Sequence, residues 1–395
     1  MSALSLVARH PTLRMIGAAL LMVGVFNSSV YPYQSLIAIE VIGLSKPAFA
    51  LLLVLASATA VSASVLSGIL GDQYGHRRRI ALIATAASAL GMTLMLVFPS
   101  KVSLVLCHGI LIPIGSSLFG QLFALARLAY PSTENRDGIF GVVRAGMSLA
   151  FLLMLVFWTF AFGRDVAVTS VYVSGGLAAL GLLALITLQW PRDGQTEWSD
   201  QRSGLNFLQA FREIAAAKVL IRLLLLGAIT SAGGLYMTVI SLVFDQSAQR
   251  GPADVALYVG LVAGWEVPCL MLLPLVSRHF KRSTLIALGT AAYCCHVLAL
   301  PLLASSPLIW AFTFVAGVGG TTVLALPIVY YQDLLHGRPG TAGAMLALQK
   351  LIADVLVALA FLLGTSFGGY TSVALIGVAI ALIGALGLWL VDRKS

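Results

Sequence analysis

GILGDQYGHRRR, running from Gly68 to Arg79, sets one acid, three glycines and three consecutive arginines between two long apolar runs. A polar segment this short between membrane-length stretches leaves room only for a tight turn, and Gly71 and Gly75 reach positive φ without a Cβ clash. Gly68 is expected to let a neighbouring helix approach. Asp72 suits the positive end of a helix. Arg77, Arg78 and Arg79 suit the membrane interface, where anionic lipid or an acidic loop would meet them. On charge alone the arginines are a topology signal.

Outward from this loop the chain is membrane. Its 395 residues are 59% hydrophobic and only 10% charged, above the roughly half apolar content of soluble domains, which excludes a soluble enzyme. Apolar runs of about 20 residues recur along the whole length, enough for each to cross a bilayer. The first is too long and too punctuated by polar residues for a cleaved signal peptide, so it reads as a retained helix. The net charge of +9 lies in short loops rather than on one soluble face, so the expected partner is the lipid bilayer and not nucleic acid. Cys107, Cys269, Cys294 and Cys295 sit in apolar runs without ligand spacing, which predicts packing residues and no metal site.

The fold expected is all-α and integral to the membrane: twelve transmembrane helices as two pseudo-symmetric six-helix bundles. The spans fall at roughly 13–40, 48–71, 80–98, 102–126, 139–162 and 168–189, then roughly 218–245, 253–277, 281–303, 307–334, 341–363 and 369–391. Residues 1–189 and 218–395 are then two bundles, and 190–217 a polar linker with a short amphipathic helix near Leu205 to Ala216. Arg9, Arg14, the Arg77 cluster, Arg127, Arg192, Arg222, Arg278 and Arg393 fall on one side, and only Lys46, Lys101, Arg164 and Arg250 opposite. Both termini and the linker are therefore expected in the cytoplasm. With 205 residues added, Tyr31 becomes Tyr236, Glu40 Asp245, Arg77 Arg282, Gly115-Ser116-Ser117 Gly320-Thr321-Thr322, and Arg144 Gln349. A shared offset without gaps points to duplication of a six-helix unit, an architecture of transporters that hold substrate near mid-depth.

Polar residues at membrane depth are the site candidates. Asn27, Tyr31 and Gln34 stand at i, i+4 and i+7, one face of the first helix. Their hydroxyl and amides both donate and accept, as a sugar requires, and the tyrosine ring offers an apolar surface; interhelical hydrogen bonding is the alternative. Gln121 on helix 4, Arg144 on helix 5, Trp265 on helix 8 and Gln349 on helix 11 complete the proposed substrate-binding set. A guanidinium at the depth of Arg144 is expected to face a cavity or an acidic partner. Glu266, followed by Pro268 in mid-helix, is the candidate for proton coupling, with Lys350 and Asp354 at helical spacing as a neutralising pair. His108 and His296 read as isolated, and no H-E-x-x-H, glycine-framed nucleophilic serine or P-loop occurs, so no catalytic residue, cofactor or direct ATP drive is expected.

The G-x-x-G-D-x-x-x-G-x-R-R loop resembles the signature latch of the major facilitator superfamily, with Gly68, Gly71, Asp72, Gly75, Arg77 and Arg78 in the matching positions. Four further blocks resemble the sugar efflux transporter family within it: Gln121 to Arg127, Arg144 to Phe151, Gly264 to Pro268, and Tyr330 to Leu335 leading into Gly337 to Ala342. Two departures stand out, Leu128 where that family suggests an acid and Met154-Leu155 where it suggests Gly-Pro. The resemblance implies proton-driven export of a small molecule, a sugar or glycoside, by a monomer in the bacterial inner membrane, with the proton gradient as driving force. The alternatives are a multidrug or other exporter of the same fold, an uptake permease, an integral-membrane enzyme, and a receptor or channel. The six-plus-six layout and the latch favour a transporter.

Overall fold

The computed structural model describes residues 3–130, 136–192, 217–334 and 339–393, and among these there is no strand. Among the described residues, 12 helices are long and apolar enough to cross a membrane. They are α1 (Pro11–Val41), α2 (Lys46–Tyr74), α3 (Arg77–Val97), α4 (Lys101–Ala129), α5 (Arg136–Phe162) and α6 (Val171–Gln189), then α7 (Ala217–Asp245), α8 (Pro252–Ser277), α9 (Arg282–Leu303), α10 (Phe312–Leu334), α11 (Pro339–Phe367) and α12 (Gly369–Arg393). The amphipathic helix expected near Leu205 to Ala216 lies outside the described residues, as does the Asp72 side chain.

Local chemistry sets several boundaries. Pro11 and Pro252 open their helices at positions where no backbone N–H is needed. Ser100 caps α4, its hydroxyl accepting from the Ser103 N–H at 3.1 Å, and Asp254 Oδ2 accepts from the Gly251 N–H at 3.0 Å ahead of α8. Two helices depart from regular winding. α1 tightens at Tyr31–Tyr33, around Pro32, and then widens into a π-turn at Ile37–Val41; α4 carries a π-turn at Cys107–Leu111.

The turn after α2 differs from the sequence expectation. Gly71 is helical, within α2, and only Gly75 takes positive φ, at 67°. Gly71 is instead a point of close approach, as described below. Gly68 has nothing within 4 Å of an added Cβ, so it admits no neighbouring helix among the described residues.

Two compact units divide the chain. The first, Met1–Tyr33 with Ala58–Gly204, is built on α1 packed against α5 and α6, and α3 packed against α4 and α6. Its core gathers Leu13, Ile16, Leu20, Ala84, Leu122, Leu125, Val143 and Ile186 at the end that carries Arg77. The second, Gln34–Ser57 with Leu205–Ser395, is built on α7 packed against α11 and α12, and α9 packed against α10 and α12. Its core gathers Leu223, Leu226, Ile229, Ile286, Val323, Tyr331, Met345 and Leu388. Adding six to each helix number converts the first set of pairings into the second, so the offset of 205 seen in the sequence has a counterpart in packing. The α1–α2 turn belongs to the second unit: Ser35 shares a hydrogen bond with Ser241 at 2.9 Å, Phe49 meets Phe361 edge-on at 5.5 Å, and Lys46 lies over the Tyr370 ring at 5.1 Å.

Between helices in a bilayer, apolar burial contributes little that lipid would not, and close packing with buried hydrogen bonds carries the association. Small residues make that possible here. A Cβ added at Gly115 on α4 would fall 1.8 Å from Ser88 Oγ on α3, and one at Gly289 on α9 would fall 1.5 Å from Thr322 Oγ1 on α10. At Gly289 the Thr322 Cβ, 2.6 Å away, also obstructs, so alanine there forces the pair apart, whereas at Gly115 alanine first displaces the Ser88 hydroxyl.

Candidate functional site

In the first unit the arginine loop closes on α4. Arg77 is buried at the start of α3, and its Nη1 donates to Gln121 Oε1 at 3.3 Å, while Gln121 Nε2 donates to the Ser67 carbonyl on α2 at 3.1 Å. Room for the guanidinium comes from Gly71, where an added Cβ would lie 2.9 Å from Arg77 Nη1 and 3.3 Å from Gln121 Oε1. Arg78 Nη2 donates to the Thr187 carbonyl of α6 at 2.7 Å. One buried amide thus ties three helices to the loop. Sequence reasoning assigned Gln121 to substrate; in the structure its amide is engaged by Arg77 and the Ser67 carbonyl.

Deeper in this unit, α1, α5 and α6 meet through hydroxyls. Ser29 Oγ accepts from Trp158 Nε1 at 3.3 Å and from Ser174 Oγ at 2.8 Å, and donates to the Val25 carbonyl at 2.8 Å. Asn27 is half-buried close by in sequence, and Tyr31 is 41% exposed. Gln34, also half-buried, belongs to the second unit, because the tightened turn at Tyr31–Tyr33 intervenes. Arg144 is exposed, which, of the two surroundings its depth suggested, leaves the cavity and not the acidic partner, and Ser148 Oγ donates to its carbonyl at 3.3 Å. His108 is not isolated: the π-turn of α4 buries it, and its Nε2 shares a 2.8 Å hydrogen bond with Tyr172 OH of α6.

In the second unit α8, α9 and α10 build a neighbourhood around Glu266. The half-buried carboxyl lies against Gly320, where an added Cβ would be 2.7 Å from Glu266 Oε1 and 3.2 Å from Tyr293 Cε2. Thr321 Oγ1 donates to the Gly317 carbonyl at 2.8 Å, with the Glu266 carbonyl at 3.4 Å. Beside it Trp265, 42% exposed, meets Phe314 edge-on at 5.2 Å. A polar group and an exposed aromatic surface therefore adjoin on α8. On α11, the buried Gln349 donates through Nε2 to Thr230 Oγ1 of α7, Lys350 Nζ pairs with Asp354 Oδ2 at 2.6 Å, and Asp354 Oδ1 lies 3.7 Å from a Cβ added at Gly234. The pair is lopsided, with the lysine side chain 68% exposed and the aspartate 19%. That favours an aspartate held by protein and a lysine free to leave it.

Sequence reasoning missed the aromatic cluster behind Glu266. His296 is fully buried and shares a 3.0 Å hydrogen bond with Tyr258 OH through Nδ1; its ring also packs against Tyr236 and Tyr293. It too was expected to be isolated. A second missed group lies at the end carrying the helix cores. Arg222 Nε donates to Tyr330 OH at 2.9 Å, Arg222 Nη2 pairs with Asp392 Oδ1 at 3.0 Å, and Tyr330 OH donates to Asp392 Oδ1 at 2.9 Å. The Tyr330-Tyr331 pair in the sequence was the available signal, and only the distant Asp392 shows what it serves.

Known proteins resemble this chain throughout its length. A Deinococcus radiodurans protein provisionally named a sugar efflux transporter is 24% identical over 388 residues, covering 95% of this chain and 97% of the relative. Sugar efflux transporter A of Escherichia coli strain K12 is 22% identical over 282 residues, covering 69% of each. The nucleoside transporter NupG shares the fold with a TM-score of 0.77 at 12% identity, over 98% of this chain and 100% of that one. A POT family transporter solved with a thioalcohol-conjugated peptide does so with a TM-score of 0.77 at 12% identity, over 96% of each chain. The profile of the Major Facilitator Superfamily matches residues 16–360. With twelve membrane-length helices and that match, the chain is a multi-pass membrane transporter, not an enzyme, and belongs to the major facilitator superfamily.

Proposed function

We propose that this transporter exports sugars or glycosides from the bacterial cytoplasm by alternating access, driven by the proton gradient, as a monomer in the inner membrane with both termini cytoplasmic. The observation that carries the substrate class is the similarity, over 97% of its length, to the Deinococcus radiodurans protein named for sugar efflux. The chemistry of the second unit supports it. Trp265 presents an aromatic surface that suits the C–H face of a pyranose, and Glu266 supplies a carboxyl for its hydroxyls or for a proton. The moving bodies in this reading are residues 1–189 and 218–395, joined by 190–217, with the stretch 34–57 grouped with the second; the Gly71–Arg77–Gln121 contact lies wholly within the first body, where it braces the arginine loop that serves as the latch.

The test is counterflow in proteoliposomes with a panel of labelled sugars, nucleosides and amphiphilic drugs. Sugar exchange is expected, and exchange confined to drugs would overturn the substrate reading. Glu266→Gln is expected to keep exchange while gradient-driven accumulation falls by about tenfold or more, since the amide that replaces the carboxyl can neither take up nor release the proton. Accumulation at the wild-type rate in that variant would transfer the role to Asp354. Cysteines placed at Gly75 and Ser305 should label from the cytoplasm and from outside respectively.

A further inference from the structure

Two glycines on consecutive turns of α10 receive α8, and they do so differently. A Cβ added at Gly317 would lie 2.4 Å from Trp265 Cβ, 3.1 Å from the Trp265 carbonyl carbon and 3.3 Å from the Glu266 nitrogen, so the obstruction includes the α8 backbone. A Cβ added at Gly320 would meet only side-chain ends, Glu266 Oε1 at 2.7 Å and Tyr293 Cε2 at 3.2 Å. Gly317 thus sets how close the helices come, while Gly320 leaves a notch with the width of one methyl group, occupied by the carboxyl and walled on its far side by the tyrosine ring. Thr321 Oγ1 donates to the Gly317 carbonyl of its own helix at 2.8 Å and lies 3.4 Å from the Glu266 carbonyl, so α8 also approaches α10 closely at this level. The titratable groups that bear on Glu266 are Cys269 on its own helix and Tyr293 on α9; α10 presents Gly317, Gly320 and Thr321, none of them charged.

We propose that Gly320 is a positioning residue for Glu266: the notch it leaves, closed by Tyr293, holds the carboxyl at the place from which it couples protons to transport. The proposal rests on the reading of Glu266 as the coupling group and adds the residues that determine where that group sits. Alanine at Gly320 evicts the carboxyl without touching the α8 backbone. Gly264, beside Trp265 on the same helix, has nothing within 4 Å of an added Cβ and supplies a matched control.

The experiment uses the full chain in proteoliposomes and reads two quantities. The first is the rate at which dicyclohexylcarbodiimide modifies Glu266, followed by peptide mass spectrometry with Asp354 as internal reference; the second is gradient-driven accumulation relative to exchange. In Gly320→Ala the carboxyl is expected to label faster by about fivefold or more, with the accumulation ratio falling by a similar factor, while Gly264→Ala leaves both unchanged. Tyr293→Leu opens the other wall of the notch and should reproduce the labelling change, and Tyr293→Phe, which keeps the ring edge, should not. The leucine variant also decides the matter if the alanine variant fails to reach the membrane. Labelling rates that stay at the wild-type value in both Gly320→Ala and Tyr293→Leu overturn the proposal. Wild-type accumulation in Glu266→Gln would instead remove the coupling reading beneath it, and the labelling result would still decide whether the notch exists.

Discussion

Where α3 meets α4 in the first unit, Gly115 faces Ser88; where α9 meets α10 in the second, Gly320 faces Tyr293, and the carboxyl of Glu266 enters from α8. Both pairs are related by the same offset of 205 residues, and the position in the first half that corresponds to Glu266 is Val61. The contrast recurs elsewhere. Tyr31 is 41% exposed and its mate Tyr236 is 1% exposed; Arg144 is exposed and its mate Gln349 is buried against Thr230. Duplication has kept the helix pairings and let the polar chemistry diverge. The second unit holds a carboxyl within the span of α8, whereas the first holds its buried polar contacts in hydroxyls, a histidine–tyrosine pair and the Arg77–Gln121 contact. An intramembrane carboxyl is costly to keep, so divergence of the two copies spares the first half that cost.

The strongest test of this asymmetry lies at the corner where Arg222, Tyr330 and Asp392 meet. Their side chains are mostly buried, at 10% exposure for Arg222 and 17% for Asp392, and the positions that correspond to Arg222 and Asp392 in the first half are Gly17 and Thr187. Arg222→Leu should lower the unfolding free energy by about 3 kcal/mol, because the carboxylate is left without its cation. Removing both charges, with Arg222→Leu and Asp392→Leu together, should recover a good part of it. Equal losses in the single and double variants, measured by thermal unfolding in detergent, would mean that the corner is held by packing and not by charge.

Next in size is the contact of Gln121 with the arginine loop. Gln121→Leu deprives Arg77 of an acceptor and the Ser67 carbonyl of a donor, with an expected cost of about 1–2 kcal/mol. Leu326, its mate in the second half, shows that the fold accepts leucine at this level. Transport should fall and membrane insertion should not. Wild-type transport in Gln121→Leu would reduce the contact to a packing detail.

Exchanging residues between the halves gives a smaller effect. Gln349→Leu should cost about 1 kcal/mol by leaving Thr230 without its donor, whereas Arg144→Gln should change stability by less than about 0.5 kcal/mol, because the arginine is exposed. If Arg144→Gln nonetheless weakens substrate binding, the exposed position has a functional role that its mate lacks. The smallest change is expected at Lys350, where Lys350→Met removes an ion pair with a largely exposed lysine and should cost under about 1 kcal/mol. A larger loss would show that the lysine is shielded in the working protein.

The twelve spans were legible because run length and loop charge are one-dimensional signals, and the repeat was legible because its offset has no gaps. The ion pair of Lys350 with Asp354 follows directly from helical spacing. The contacts of His108 and His296 were not legible, since Tyr172 and Tyr258 lie on other helices and nothing in an apolar run marks which faces will meet. Tyr293 was missed for the same reason. Gly71 was read as a turn residue, yet its role is to admit the Arg77 guanidinium, a requirement that appears only when two helices and a loop are brought together.

The π-turn at Cys107–Leu111 gives α4 a spare residue. Such a turn accommodates one position more than regular winding, so deleting Ile110 would close it into an ordinary α-turn and leave the rest of the helix facing as it does now. The same deletion made at Phe119, beyond the turn, has nothing to absorb it and would swing the upstream and downstream faces about 100° apart, taking Gln121 off Arg77 while Gly115 stayed on Ser88. Length variation in this helix is thus tolerable at one address, and the cost of shortening at Ile110 is confined to the bond that the bulge provides, His108 to Tyr172.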